Sequence, residues 1–133
     1  MKLIFCVDDK NGMMLFSRRQ SQDKNLRSWL LDYVGDNKLF MSEYSAKQFE
    51  NQEKIIIDNN YIINAQKDDF CFIEDKDYNV DLADEVILCC WNRRYQADKF
   101  FTVDLKEKGF KKKNSQNIVG CSHEKITIEI YRK

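Results

Sequence analysis

Three segments of the chain have the hydrophobic pattern of β-strands. KLIFCV (2–7) and DEVILCCW (84–91) are short and almost continuously apolar, which is typical of strands buried on both faces of a parallel sheet. KITIEIYR (125–132) instead alternates isoleucine with more polar residues, which indicates an antiparallel strand with one face in water. These patterns predict a sheet with a parallel centre and an antiparallel strand at the C-terminus.

The segment DKNLRSWLLDYV (23–34) predicts an amphipathic helix. Ser21 or Asp23 can accept hydrogen bonds from the free amides of its first turn, and Gly35 is suited to end it. The large side chains recur at helical spacing and form one face, at Leu26, Trp29, Leu30, Tyr33 and Val34.

Further short apolar runs complete the predicted fold. KLFM (38–41), KIIID (54–58), DFCFIE (69–74) and FFTV are interpreted as strands, and Ser42 is a candidate N-cap for a short helix over SEYSAKQFEN. Strands alternate with helices early in the chain and then follow one another. We therefore predict one α/β domain over residues 1–133, with a mixed, mainly parallel twisted sheet and an antiparallel C-terminal hairpin.

The charge balance limits what such a fold is expected to bind. The chain has 133 residues with 22 Lys plus Arg and 22 Asp plus Glu, so no net field attracts nucleic acid or anionic lipid. Its apolar runs are far shorter than the roughly 20 residues that cross a membrane, and no apolar signal segment follows a charged start. We expect a cytoplasmic protein that has no membrane contact and whose partner is not nucleic acid.

Five cysteines raise the question of disulfides or a metal site. They lie at positions 6, 71, 89, 90 and 121, without the CxxC spacing of zinc sites, and a chain of this length builds a core without disulfides. Reduced, mostly buried thiols are therefore expected. His123 is the single histidine and lies in GCSHEK, which has the composition of a surface turn, so we predict no metal site.

The order of motifs resembles that of dihydrofolate reductase. The late segments ADEVILCCW and KITIEIYR follow the order of elements in that family, which implies a dihydrofolate reductase-like fold that is shortened between about residues 54 and 72. The family opens with a core strand, a V-D-x-x-x-G-M stretch, a mobile loop and a helix with an acid in its first turn. The matching positions here are Val7, Asp8, Gly12, Met13 and Asp23.

The same resemblance implies a ligand site at the first helix. In the family the matching carboxylate hydrogen-bonds a pterin ring and assists its protonation, so Asp23 is the candidate for orienting or acid–base work on a pterin-like ligand. The alternative is that Asp23 only caps the helix. Cys89 matches the nearby hydroxyl of the family but is a weaker hydrogen-bonding group, and Cys6 on the first strand completes this candidate site.

Two departures from the family concern the cofactor. A basic residue and a hydroxyl hold cofactor phosphates in the family, where this chain has Glu43, Tyr44 and Ser45. A Gly-Gly pair lets the pyrophosphate approach closely, where this chain has Glu74 and Asp75. Each close pair of like charges costs about 1 kcal/mol even at the dielectric constant of water. We therefore predict no NADPH site and no cofactor.

Arg18 and Arg19 are the remaining candidates for ligand contacts. Two guanidinium groups close to a helix N-terminus suit a phosphate or a carboxylate, so they predict a site for a small anionic ligand. The alternative is a solvated loop in which the two arginines form ion pairs with Asp8, Asp9 or Asp23.

RNA binding or processing is another hypothesis for the arginines. WNRRY (91–95) places cations beside aromatic rings, and the hypothesis predicts that Arg18, Arg19, Arg93 and Arg94 share one face. The opening VDD…GMM…RRQSQD also resembles short bacterial proteins of unknown function that sometimes carry the name ribonuclease Z. True ribonuclease Z needs several histidines and aspartates to hold two metal ions, and this chain has one histidine.

The residues favour a small-ligand-binding or interaction module over an enzyme. The sequence has no GxSxG, GxxxxGK[ST] or HExxH motif. The alternative, a pterin-type reductase with altered cofactor binding, predicts a deep cleft with Asp23 buried. The ligand contacts expected from the sequence are Asp23, Arg18, Arg19, Cys6 and Cys89.

Overall fold

A computed structural model describes residues 1–50 and 52–133 of the chain. Within these ranges the backbone forms ten strands and three α-helices, with a 3₁₀ turn ahead of the seventh strand. Their order is β1 (Lys2–Val7), β2 (Gly12–Leu15), β3 (Arg18–Arg19), α1 (Lys24–Val34), β4 (Leu39–Met41), α2 (Glu43–Ala46), β5 (Ile55–Ile57), α3 (Tyr61–Asn64), β6 (Phe70–Phe72), β7 (Glu85–Cys90), β8 (Lys99–Phe100), β9 (Lys111–Ile118) and β10 (Ile126–Arg132).

Seven of these strands form one sheet in the order β5-β4-β6-β1-β7-β10-β9. β1 lies between β6 and β7 and runs parallel to both, with Leu3 opposite Cys71 on one side and Val86 on the other. β10 pairs antiparallel with β7 and with β9. The predicted mixed, mainly parallel sheet with an antiparallel C-terminal hairpin is confirmed.

β1 is buried on both faces, as its continuous apolar sequence predicts. Leu3 and Phe5 join one apolar cluster, and Ile4 joins a second cluster on the opposite face, where it lies with Leu26 and Leu30 of α1. Because successive side chains of a strand point to opposite faces, this one short run contributes to both layers of the core.

α1 begins and ends, and α2 begins, where the capping residues predict. Asp23 caps α1 and accepts hydrogen bonds from the amides of Asn25 and Leu26, while Gly35 ends the helix at a φ of 62°. Ser42 caps α2 in the same way, since its hydroxyl accepts from a first-turn amide. Among the described residues, no helix combines the length and the hydropathy needed to cross a membrane.

The segment that the family resemblance assigns to a mobile loop is a small β-hairpin. β2 pairs antiparallel with β3 and with β8, which gives a second sheet of short strands. Phe16 and Ser17 form the turn with φ values of 50° and 61°, a left-handed pair that suits two-residue hairpins. The amide of Phe16 also donates to Asp98 Oδ2 at 3.0 Å. The hairpin thereby fixes the positions of Arg18 and Arg19.

The hairpin partner of the C-terminal strand is a segment that the hydrophobic pattern does not predict as a strand. Of the FFTV segment only Phe100 lies in a strand, in the short β8 of the second sheet. β9 pairs with β10 instead. Every residue of β9 before Ile118 is polar and exposed, in the sequence KKKNSQNI. An edge strand without a buried face has no alternating apolar pattern, so periodicity does not detect it.

Candidate functional site

Three buried carboxylates gather at the carboxyl edge of the parallel strands, where open α/β sheets bind their ligands. Asp8 follows β1, Glu74 lies just beyond β6, and Asp23 caps α1. Their residues are 3%, 7% and 2% exposed. Carboxylates are rarely buried unless they are paired or hydrogen-bonded, so the partners of each group define what this edge can do.

Asp23 is fully engaged by its own chain. Oδ1 accepts from the amide of Cys121 at 3.0 Å in addition to the two amides of α1, and Oδ2 accepts from the amide of Ser122 at 2.9 Å and from His123 Nδ1 at 3.0 Å. Burial by itself raises the pKa of Asp23, but these hydrogen bonds outweigh burial and hold the pKa well below its usual value. Asp23 is therefore an ionised carboxylate that ties α1 to the loop before β10.

His123 is buried in this cluster, and its expected position on a surface turn is wrong. The imidazole side chain is 1% exposed and stacks on Trp91 at a centroid distance of 4.6 Å. Because Nδ1 faces the Asp23 carboxylate, Nδ1 carries a proton and donates to it. Nε2 lies 3.2 Å from Ser21 Oγ and 3.1 Å from Tyr95 Oη.

The resulting chain of contacts has the order carboxylate, imidazole, hydroxyl. It joins the segment before α1, the segment after β7 and the loop before β10. Gly120 allows the close approach, since a Cβ there would lie 2.5 Å from the carbonyl oxygen of His123 and 2.7 Å from Asp23 Oδ2. The arrangement can hold a proton between fixed groups, and its immediate effect is to lock three loops together.

Asp8 organises the other side of the same edge. Oδ1 accepts from the amides of Lys10 and Gly12, and Oδ2 accepts from Gln20 Nε2 at 3.0 Å and from the amide of Tyr95 at 3.1 Å. Burial raises the pKa of Asp8, but the amide hydrogen bonds, led by that of Gly12, lower it overall. Asp8 thus fixes Gln20 and Tyr95 relative to β1.

Glu74 is paired with Arg19. Arg19 Nε lies 3.0 Å from Glu74 Oε2, and Ser45 Oγ and Gln48 Nε2 donate to Oε1 at 2.9 and 3.0 Å. The guanidinium also stacks 4.3 Å from the ring of Tyr44. Burial lowers the pKa of Arg19, but Glu74 more than compensates and the pKa is raised. Of the two alternatives for Arg19, an ion pair forms, with Glu74 as the partner in place of Asp8, Asp9 or Asp23.

The positions that match the cofactor-binding residues of the family meet in space. Ser45 contacts Glu74 as described, and Ser42 Oγ donates to Asp75 Oδ1 at 2.7 Å. Lys99 Nζ donates to the carbonyl oxygen of Glu74 at 2.8 Å. Side chains at the ends of β4 and β6 are therefore joined to one another by hydrogen bonds.

A cavity of about 600 Å³ opens beside the hairpin. Arg18 is exposed there and, within the described part of the chain, forms no ion pair. Phe16 at the hairpin tip is 79% exposed. The cavity therefore combines apolar surface with a free cation. It is lined by Leu15, Phe16, Arg18, Arg19, Gln20, Tyr95 and Gln96.

Cys6 and Cys89 lie opposite each other in the register of β1 and β7. Cys89 is fully buried and Cys6 is half-buried, on the face that packs against α1. A hydrogen bond with Cys89, together with burial, raises the pKa of Cys6 well above its usual value. Both thiols are separate from the cavity lining, as is Asp23. The predicted contacts thus divide into Asp23, Cys6 and Cys89 near α1 and the two arginines at the cavity.

The four arginines of the RNA hypothesis have different environments. Arg19 is held by Glu74, and Arg93 donates to the carbonyl oxygen of Ser122 at 3.1 Å. Arg18 and Arg94 are exposed and line two neighbouring hollows that share Leu15, Tyr95 and Gln96. In the part of the chain that the structure describes, no group of three or more metal-ligating side chains is placed to hold a metal ion.

The architecture defines a mixed α/β protein with a dihydrofolate reductase-like fold. A solved structure of dihydrofolate reductase from Enterococcus faecalis, complexed with NADP(H) and RAB-propyl, superimposes with a TM-score of 0.68 and 10% identity over 98% of this chain and 94% of that chain. No family model matches the chain, and no curated protein does. At this identity the likeness shows the fold alone, and the resemblance to proteins named ribonuclease Z finds no support.

Proposed function

We propose that this protein is a non-catalytic binding module for a small anionic ligand. The observation that carries the proposal is the cavity beside the hairpin, where the free guanidinium of Arg18 lies among Leu15, Phe16 and Tyr95. Ligand sites are commonly concave, mostly apolar and supplied with a few convergent polar groups, at volumes of roughly 300–1,000 Å³. A carboxylate or a phosphate can accept two parallel hydrogen bonds from the guanidinium of an arginine.

The absence of an NADPH site is part of the same proposal. Glu74 and Asp75 are carboxylates at the positions that the resemblance assigns to the Gly-Gly pair beside the diphosphate, and the nearby cation of Arg19 is already paired with Glu74. Removing Arg19 from this pair to serve a cofactor would leave a buried carboxylate without its partner, which typically costs about 3–5 kcal/mol.

Asp23, Cys6 and Cys89 have supporting roles in this proposal. Both oxygens of Asp23 are occupied by donors from the chain, so Asp23 holds the loop before β10 against α1. The raised pKa of Cys6 keeps its thiol neutral, and both cysteines contribute to the apolar cluster beneath α1. Arg18 is the residue on which ligand binding depends, and the cytoplasmic location stays a prediction.

Titration calorimetry tests the proposal with benzoate, folate, NADPH and a short single-stranded RNA. We expect a small carboxylate to bind and NADPH not to bind, with affinity lost about 10–100-fold in Arg18→Gln because a charge-assisted hydrogen bond is removed. Lys113→Gln, which removes one exposed cation on β9, is the matched control and should bind as the wild type does. Equal affinity in both variants would contradict the assignment to Arg18.

A pterin-type reductase is the second candidate, and the shared fold favours it. It predicts that NADPH raises the stability of the protein by about 2.7 kcal/mol at a hundredfold excess over its dissociation constant. RNA binding is favoured by the exposed Arg18 and Arg94 beside Tyr95 and predicts steep weakening with salt. Either result would displace the binding-module proposal.

A further inference from the structure

Two hollows open on either side of a shared wall at the hairpin. The first is the cavity that contains Arg18, and the second has a volume of about 550 Å³. Leu15, Tyr95 and Gln96 line both hollows and therefore form the wall between them. Because the hollows adjoin along this wall, one elongated ligand can occupy both.

The charged side chains that line the two hollows are all cations. Arg18 lies in the first hollow, and Lys10 and Arg94 lie in the second. All three are exposed, and none forms an ion pair with any residue that the structure describes. Arg19 also lines the first hollow but is paired with Glu74. Among the described residues no carboxylate lines either hollow, although acidic and basic residues are equal in number over the whole chain. Unpaired positive charge is therefore concentrated here and divided between two places.

The wall between the cations is held in position by hydrogen bonds. The amide of Tyr95 donates to Asp8 Oδ2 at 3.1 Å, and its hydroxyl lies 3.1 Å from His123 Nε2. The carbonyl oxygen of Gln96 accepts from Gln20 Nε2 at 3.3 Å. A surface that is ordered before binding loses less conformational entropy when a ligand binds. The ring of Tyr95 also gives the wall an apolar surface.

We propose that the ligand is an elongated dicarboxylate, with one carboxylate at Arg18, the other at Lys10 and Arg94, and an apolar middle across Tyr95. This inference rests on the proposed function and specifies its ligand class. Each carboxylate forms a charge-assisted hydrogen bond with the cation that it meets. The methylene groups of the middle leave water for the apolar surface of Leu15 and Tyr95. A ligand with a single negative group uses only one of the two sets of cations.

Matched pairs of probes isolate the second carboxylate. Glutarate, suberate and sebacate are compared by titration calorimetry at low ionic strength with the monocarboxylates of the same carbon number, which are pentanoate, octanoate and decanoate. In the wild type we expect the dicarboxylate of the best-fitting length to bind about fivefold more tightly than its monocarboxylate, the value of one exposed ion pair. Three lengths are used because the second carboxylate must reach Lys10 or Arg94.

A double variant, Lys10→Gln with Arg94→Gln, tests where the second carboxylate binds. The preference for the dicarboxylate should fall to one or below, whereas the affinity for the monocarboxylate should not change because Arg18 remains. Lys111→Gln with Lys113→Gln is the matched control, since it removes two exposed cations from β9 and changes the net charge equally. The preference should persist in this control. Circular dichroism checks that both double variants fold; if the first does not, the single variants Lys10→Gln and Arg94→Gln replace it, and each should reduce the preference.

The outcomes separate the inference from the proposed function. Equal affinity for both members of every pair in the wild type, or a preference that persists without Lys10 and Arg94, would overturn the inference and leave a module for single anions. Binding of no probe at millimolar concentration would overturn both. A short single-stranded RNA that binds more tightly than every dicarboxylate, with an affinity that falls steeply with salt, would also overturn both.

Discussion

The Asp23–His123 cluster and the cavity beside the hairpin lie along the same edge of the sheet and differ in one physical respect. In the cluster, charged and polar atoms are partnered within the chain, from Asp23 through His123 to Ser21 and Tyr95. In the cavity, the guanidinium of Arg18 is exposed and has no ion pair among the described residues. Polar groups that are hydrogen-bonded within the chain stabilise the fold, whereas a charged group without a partner in the chain is available to bind a ligand.

The largest effect is expected from Asp23→Ala. The substitution removes the cap of α1 and leaves the buried His123, together with the amides of Cys121 and Ser122, without their acceptor, so we expect a loss of about 3–5 kcal/mol in the free energy of unfolding. Urea denaturation measures it. Asp32→Ala, at an exposed position of the same helix, is the control and should change stability by less than about 0.5 kcal/mol. A loss below about 1 kcal/mol for Asp23→Ala would contradict the role assigned to the cluster.

Arg19→Gln is expected to rank next. Glu74 would keep the donors Ser45 and Gln48 but lose its cation, which we expect to cost about 3 kcal/mol. Replacing both partners, in Arg19→Met with Glu74→Met, should recover most of that loss because no buried charge remains. Additive losses in the double variant would show that the two side chains act independently.

The pH dependence of stability gives a smaller and more specific signal. The pKa of Asp23 is depressed in the folded state, so below the unfolded pKa of about 3.9 the unfolded chain binds more protons. Stability is therefore fully present above that pH and falls below it, by up to about 1.4 kcal/mol per pH unit for this group. Asp8 contributes in the same direction. Asp23→Asn should flatten the slope between pH 4 and pH 3, and an unchanged slope would contradict the assignment.

Arg18→Gln should have the smallest effect on stability. Arg18 is exposed and, among the residues described, has no ion pair, so we expect a change below about 0.5 kcal/mol in thermal or urea unfolding. Ligand affinity should fall in the same variant. The adjacent residues Arg18 and Arg19 thus separate ligand binding from folding, and a large destabilisation by Arg18→Gln would remove that distinction.

Hydrophobic periodicity and capping residues predicted the parts of the fold that depend on residues close together in the sequence. Leu26, Leu30 and Val34 form the buried face of α1, Gly35 ends it, and β1 is buried on both faces. β9 was missed because it is an exposed edge strand, defined by its pairing with β10. Its hydrogen bonds are made by the backbone, and its side chains leave no signal in the sequence.

The candidate site was harder to predict because its partners are distant in sequence. His123 meets Asp23 across 100 positions, and Glu74 meets Arg19 across 55. The motif GCSHEK has the composition of a turn, and nothing in it indicates that its histidine is buried against Trp91. One signal was present: Gly120, three residues before the histidine, marks a place where the backbone approaches another group closely.

The central claim is that ligands bind at the hairpin cavity and not between the ends of β4 and β6. Amide chemical shifts during titrations with benzoate and with NADPH test it most directly. We predict that the carboxylate shifts residues 15–20 and 95–96 to saturation, and that NADPH shifts none. Saturable NADPH shifts at residues 42–45 and 74–75 would contradict the account.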